Sequence, residues 1–324
     1  MRRREVIALL GGAAATWPLA GRAQQSVPVI GFLNSWAAKD SAASLAAFRQ
    51  GLGEVGFVEG RNVTIEYRWA DNEYERLPAM AADLVSRQVA VIAAAFLPAA
   101  RAARDATTTI PIVFNVGDDP VALGLVASLN RPGGNLTGVN QFASVLEVKR
   151  LELLHEAAPQ ATAVAFLVNP ANPNTESNTR DMQAAARTLG LQLHVFYANT
   201  DNDMDAAFAA LGQRTGALVV QADSFFNSRH EHLAALELGH KVAAIYDQRD
   251  YTVAGGLMNY AASHADAYRQ VGVYTARILK GDKAADLPVQ QSTKVEFVIN
   301  LRTAKALGIT FPLTLLGRAD EVIE

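Results

Sequence analysis

The chain reads as α/β, folded as two Rossmann-like lobes with parallel sheets and an interlobe cleft. Three observations lead there. Short β-branched or apolar runs alternate with longer amphipathic stretches, the pattern that builds parallel sheets through right-handed crossovers. The alternation occurs twice, once over 27–139 and again over 162–260. The chain has 324 residues and half of them are hydrophobic, which is too much for one ordinary core and suits two domains of roughly 150 residues each.

The first element is a leader. Residues 1–23 open with Arg2-Arg3-Arg4, continue through a Gly- and Ala-rich apolar run and close on Gly21-Arg22-Ala23. That is the charged, apolar and small-residue order of an export signal, with cleavage expected near Ala23. Arg3-Arg4 also fits the twin-arginine pattern. The apolar run is shorter and less apolar than the roughly 20 residues that span a bilayer. The chain contains no Cys, so a lipid-anchored form is not expected, nor are disulfides, thiolate metal sites or a Cys nucleophile. Localisation is therefore expected to be periplasmic. The net charge is −3, and removing the leader's +3 leaves −6. An acidic body with no basic run speaks against nucleic acid as a partner.

The body begins with a strand at 27–34 and a helix at 41–55, whose apolar residues recur at i, i+3 and i+4. A strand at 62–69, a helix at 73–87 and strands at 90–96 and 111–116 follow. The stretch 130–138 carries Pro, three Gly and two Asn, so it reads as the first passage between lobes. Strands at 162–169, 192–197, 217–222 and 242–246 build the second lobe, with helices at 175–189 and 231–238. A helix at 264–280 and a strand at 294–300 come last. The lobes are expected to comprise 27–139 plus 261–287 and 140–260 plus 288–324.

In open parallel sheets, ligands sit beyond the carboxyl ends of strands. Those ends supply Asn34, Ser35, Trp36, Phe96, Leu97, Pro98, Asp118, Asn169, Asp223, Phe225, Tyr246 and Asp247, with Tyr260 near a crossing. Any single Asp or Asn at such a turn is also a good helix N-cap. The whole set converging on one edge of two sheets favours a site for a small polar molecule. The aspartates suit an ammonium or hydroxyl group. The helix start at Leu97-Pro98 suits a carboxylate, because first-turn N–H groups and the positive dipole end face it.

Other motifs carry less. Gly51-Leu52-Gly53-Glu54-Val55-Gly56 matches a dinucleotide-binding string, but a helix precedes it and a strand follows, the reverse of what phosphate binding needs. It reads as a helix end and a turn. His230, His232 and His240 lack the spacing and the third ligand of a metal site. No nucleophile elbow, phosphate loop or zinc-protease motif occurs. No cofactor, metal or catalytic residue is expected.

Several stretches resemble a known family. They are GLGEVGFVEGRN at 51–62, IPIVFNVGDDPVALGLVASLNRPGGNLT at 110–137, GGLMNY at 255–260 with Tyr268, and VINLRTAKALG at 298–308. The chain is similar to the exported solute-binding proteins of ABC importers, in the family with tryptophan- and tyrosine-binding members. The resemblance implies a type I periplasmic-binding-protein fold that closes by a hinge on an amino acid or an aromatic or organic acid. It also implies delivery to an ABC permease in the inner membrane, by a protein working as a monomer. A sensor for a membrane receptor and an exported enzyme are the alternatives. Two departures bear on the ligand. Leu97-Pro98 stands where members carry Thr-Pro, removing a hydroxyl, and Gln221-Ala222-Asp223 keeps only the Asp of their Pro-Thr-Asp. Their Asn-Pro segment is matched loosely by residues 169–174.

Overall fold

In the computed structural model, which describes residues 27–211 and 216–324, the chain builds a six-stranded and a seven-stranded sheet. The expected leader at 1–23 lies outside the described residues. The first sheet starts with β1 (Val29–Asn34), α1 (Ala42–Glu54), β2 (Thr64–Trp69), α2 (Leu77–Ser86), β3 (Val91–Ala95), α3 (Leu97–Ala106), β4 (Ile112–Val116) and β5 (Leu136–Asn140). The chain then crosses and lays down α4 (Ala143–Ala157), β6 (Ala163–Val168), α5 (Thr175–Thr188), β7 (Gln192–Tyr197), α6 (Asp201–Leu211), β8 (Ala217–Val220), α7 (Ser224–Asn227), α8 (His230–His240), β9 (Ala243–Tyr246), α9 (Arg249–Val253) and β10 (Met258–Ala262). It returns to the first lobe for α10 (His264–Leu279) and β11 (Gln290–Gln291). A third crossing gives β12 (Val295–Asn300), α11 (Leu301–Leu307), α12 (Leu313–Leu316) and β13 (Glu321–Ile323).

The strand orders are β11-β5-β4-β3-β1-β2 and β13-β12-β10-β9-β8-β6-β7. Pairing is parallel except between β10 and β12, which run antiparallel. The strands expected from sequence appear within two residues of their expected ends. Strict alternation explains why the sheets are buried on both faces. In β1, Ile30 and Phe32 join the layer under α1 and α10, while Leu33 joins the layer under α2 and α3. In β6, Val164, Phe166 and Val168 face one layer and Ala165 and Leu167 the other. This is the period of two expected of a strand covered on both sides.

Three boundaries differ from the sequence reading. The turn-dense 130–138 stretch feeds β5 within the first sheet, and the chain crosses at Gln141 and Phe142 instead, where Phe142 adopts left-handed backbone at φ 53°. Residues 261–262 complete β10 of the second sheet, so the return crossing falls at Ser263. Gln290–Gln291 pairs with β5 in the first sheet, whereas the sequence places all of 288–324 in the second lobe. Two glutamines show no apolar alternation that could declare a side.

The helix at 264–279 fixes the first lobe. Gly51 of α1 and Gly272 of α10 let the two helices cross almost backbone to backbone. A Cβ on Gly51 would lie 1.9 Å from the Arg269 carbonyl oxygen, and one on Gly272 would lie 2.2 Å from that of Phe48. The Glu54–Arg269 ion pair at 2.8 Å flanks the crossing. Gly51 thus lies inside α1 and serves close packing, not the helix end read from its sequence.

Candidate functional site

The strands of both sheets end at one interlobe cavity. On the first-lobe side, β3 runs out at Phe96, and Leu97 and Pro98 begin α3 against the cavity. Pro98 fits the first turn because it has no N–H to leave unpaired. The N–H groups of Leu97 and Ala99 belong to that turn, where no intrahelical acceptor exists. Asn115 in β4 is buried beside them. Its Oδ1 accepts from Gln141 Nε2 at 2.6 Å, and its Nδ2 has no partner within the protein. Together these form a cluster of unspent donors.

The second lobe presents acceptors. Asp223 caps α7, with Oδ1 accepting from Phe225 N at 2.8 Å and from Asn169 Nδ2 at 2.9 Å. Its Oδ2 accepts from Asn172 Nδ2 at 2.8 Å and from Tyr74 Oη, across the cleft, at 3.1 Å. Burial pushes this carboxyl upward, and those four donors pull against it. Asp247 is less provided for. Its Oδ2 accepts from Asn227 Nδ2 at 3.2 Å, while its Oδ1 is buried with no partner. Burial lifts Asp247 to about 6 against the opposing charge of Arg150. Asp118, from the first lobe, is also lifted to about 6 by burial, opposed by its hydrogen bond from Asn174. An incoming ammonium would supply what these two carboxylates lack.

Beneath Asp247 lies a fully buried pair. Glu147 Oε1 accepts from Ala222 N at 3.0 Å and lies 3.6 Å from Arg150 Nη2. Arg150 also donates to the carbonyls of Tyr260 at 3.1 Å and Ala143 at 3.3 Å. Burial raises the Glu147 carboxyl while the Arg150 charge opposes it. The guanidinium is thus committed to structure. Among the described residues no Lys or Arg lines the cavity itself.

The lobes also touch directly. Besides Tyr74–Asp223 and Asn174–Asp118, Asn72 Nδ2 donates to Ser228 Oγ at 3.0 Å. The arrangement is therefore a closed one.

Of the residues expected from sequence, Phe96, Leu97, Pro98, Asp118, Asp223 and Asp247 line the cavity. The others do not. Asn34 folds back to accept from Trp36 N at 2.9 Å, and Ser35 donates to the Ala95 carbonyl at 3.4 Å. Trp36 stands behind Phe96, with ring centroids 4.6 Å apart. Asn169 stands behind Asp223 as its donor. Phe225 packs under the Arg229 guanidinium, 3.9 Å from its ring centroid. Tyr246 points into the second core and donates to Glu237 Oε2 at 2.9 Å, and Tyr260 packs edge-on to Phe297. The cavity also uses Tyr74, Asn115, Asn172, Asn174, Asn227 and His264, which sequence reasoning did not select. Burial depresses His264 to about 4, so its ring is neutral at pH 7. The asparagines at 172 and 174 lay in the segment already matched to the family. Asn115 could have been noticed as an amide inside an otherwise apolar strand. His232 and His230 turn to different partners, Asp205 at 2.8 Å and the Asn227 carbonyl at 2.9 Å.

Two α/β lobes, three crossings and a polar cavity between strand ends define a type I periplasmic-binding-protein fold. The chain belongs to the ABC transporter substrate binding protein family, whose model matches residues 27–323. It is similar to a tyrosine-binding protein of Clostridioides difficile, 26% identical over 262 residues that cover 81% of this chain and 75% of the relative. Among solved structures it resembles a conserved domain protein of Vibrio cholerae, with a TM-score of 0.85 at 26% identity, covering 91% of this chain and 99% of the other. It also resembles an ABC domain from Streptococcus pneumonia in complex with L-Trp, with a TM-score of 0.84 at 24% identity over 92% of this chain and all of the other. None of the described helices is long and apolar enough to cross a membrane.

Proposed function

We propose that this protein is the exported, periplasmic capture component of an ABC importer and that its solute is an amino acid, held between the lobes and delivered to an inner-membrane permease. The observation that carries this reading is the polarity of the cavity. The first turn of α3, whose N–H groups have no intrahelical acceptor, adjoins the cavity with the unpartnered Nδ2 of Asn115, and an unpartnered carboxylate oxygen stands on Asp247. A carboxylate on the first side and an ammonium on the second satisfy both ends at once. A buried donor or acceptor left without a partner costs about 1–3 kcal/mol, so a zwitterion that meets both gains over an acid or an amine alone.

Closure follows from the same geometry. A solute on one open lobe reaches only half of these groups, and it reaches both sets once the lobes meet. Its differential affinity for the closed form is what shifts the population. Tyr74, Asn72 and Asp118 then seal the cleft by bonds that need no solute. The leader sequence supports export, and the family supports a permease partner.

Thermal-shift and calorimetric titration across the proteinogenic amino acids, with deaminated and decarboxylated analogues, tests the reading. Stabilisation by at least one amino acid and by neither of its analogues is expected. Equal binding of the deaminated analogue would remove the role of the aspartates and with it the amino-acid assignment.

A further inference from the structure

The interlobe cavity has a volume of about 60 Å³. At roughly 10–15 Å³ for each water-sized occupant, that is room for about four to six non-hydrogen atoms. The head of an amino acid, its ammonium, α-carbon and carboxylate, fills it and leaves no space for a side chain. The side chain must leave the cavity, and the walls indicate where. Gly117, Asp118, Asn174 and Asn178 line the cavity and also line a groove of about 470 Å³ between the lobes. Two other hollows each share a single residue with the cavity, Asn172 and His264 respectively.

The groove has two kinds of wall. Leu123, Leu129, Phe142 and Val145 make part of it apolar, and Asp118, Asp119 and Asp181 bring three carboxylates. Asp118 and Asp119 follow β4 in the first lobe, while Asp181 lies on α5 of the second, so closure sets like charges against each other. Burial, and then the Asp181 charge, lift the Asp118 carboxyl, against the hydrogen bond from Asn174 and the charge of Arg101. Among the described residues no Lys or Arg lines the groove. Asn178 is only 5% exposed, lines both spaces, and its side-chain amide has no hydrogen-bond partner among the described residues. A cation in the groove removes the repulsion between the lobes. Apolar walls beside carboxylates fit a methylene stem with a charged head, which buries the stem and keeps the charge at the rim.

We infer that the solute is a basic amino acid, its α-ammonium and carboxylate held in the cavity and its side-chain cation in the groove, opposite Asp181. The inference rests on the amino-acid reading for the head of the solute only.

The test is calorimetric titration of the wild type and Asp181→Asn with L-lysine, L-norleucine and L-tryptophan. Norleucine is lysine without the side-chain ammonium, so the pair isolates the second cation. Cadaverine and 6-aminohexanoate complete the panel, keeping that ammonium while lacking the carboxylate and the α-ammonium respectively. The wild type is expected to bind lysine about tenfold tighter than norleucine, and the advantage should shrink as salt is raised. Asp181→Asn, at an exposed position of α5, should narrow that gap about fivefold. Norleucine or tryptophan binding as tightly as lysine, or a gap that Asp181→Asn leaves unchanged, overturns the inference and leaves the amino-acid reading standing. Cadaverine or 6-aminohexanoate binding as tightly as lysine overturns the amino-acid reading and leaves the groove its cation. If nothing on the panel binds the wild type, both fall.

Discussion

The first lobe meets the cavity with Phe96, Leu97, Pro98, the amide of Asn115 and one carboxylate, Asp118, and the second meets it with Asp223, Asp247 and four asparagines. Both walls are strand ends, yet the apolar groups and the α3 start lie on one, and two of the three carboxylates lie on the other. Their construction differs as well. Both are completed from later chain, the first lobe by α10 and β11 and the second by β12 and β13, but only the second has an antiparallel pair, β10 with β12. Similar topology thus leaves each wall free to carry its own chemistry, and a solute that spans the cleft must be polar in a defined direction.

The construction can be broken most severely at the helix crossing. Gly272→Val drives a side chain into the Phe48 carbonyl, and the lobes of the variant should part in urea. The expected loss is about 3 kcal/mol, confined to the first lobe and read as a biphasic curve by tryptophan fluorescence, since Trp36 and Trp69 both lie there. A single unshifted transition would mean that the helices can separate at no cost.

The chemistry of the second wall is tested by Asp247→Asn. Removing a buried charge that faces an ammonium should weaken amino-acid binding about 100-fold, measured by calorimetry at pH 7.5. The fold should survive, because Asn keeps an acceptor for Asn227.

Titration then separates empty from loaded protein. Asp118 and Asp247 are lifted to about 6, and Glu237, buried beside Tyr246, to about 8. In the unfolded chain these groups lose their protons near the ordinary carboxylate range. Between that range and the raised values the folded protein holds more protons, so the empty protein loses stability as pH rises from about 4 to 8. His264, depressed to about 4, opposes this below pH 6.5, but three acids outweigh one imidazole. Amino-acid affinity should run the other way and rise as pH passes through 6, since an ammonium prefers ionised aspartates. Melting curves and titrations at pH 5, 6 and 7.5 check both slopes, and parallel slopes would sink the assignment of Asp118 and Asp247 to the ammonium.

The smallest effect is expected at the seam. Tyr74→Phe removes one hydrogen bond to Asp223 across the cleft, worth about 1 kcal/mol, and should weaken binding about fivefold while the loaded protein keeps its compact scattering profile.

Much of this arrangement is legible in the residues, and what is not has a physical reason. Strand–helix alternation identifies the lobes because both sheet faces are buried, and strand ends lead to Asp118, Asp223 and Asp247. Position at a strand end does not say which way a side chain turns. Tyr246 and Asp247 are neighbours, yet successive residues point to opposite sides, so the tyrosine enters the core toward Glu237 and the aspartate enters the cavity. Asn34 turns its Oδ1 back onto its own turn, as an N-cap would. Tyr74 and His264 come from a loop and a crossing whose places depend on how the lobes dock, which no local pattern encodes. The leftover glycine pair at 51 and 272 becomes meaningful only once α10 is seen against α1.

That late helix has a consequence for how the molecule is made. Phe48 and Leu52 on α1 are buried against α10 residues such as Tyr268 and Val271, which follow about 200 residues later in the chain. At roughly 5–20 residues per second of synthesis, one face of the first sheet waits some tens of seconds without its cover, while β6 to β10 of the second sheet are laid down. The amino-terminal lobe is therefore begun first, yet it is completed only just before β12 and β13 close the second sheet. Its exposed face during that interval is where a newly made chain is most open to aggregation and to capture by chaperones.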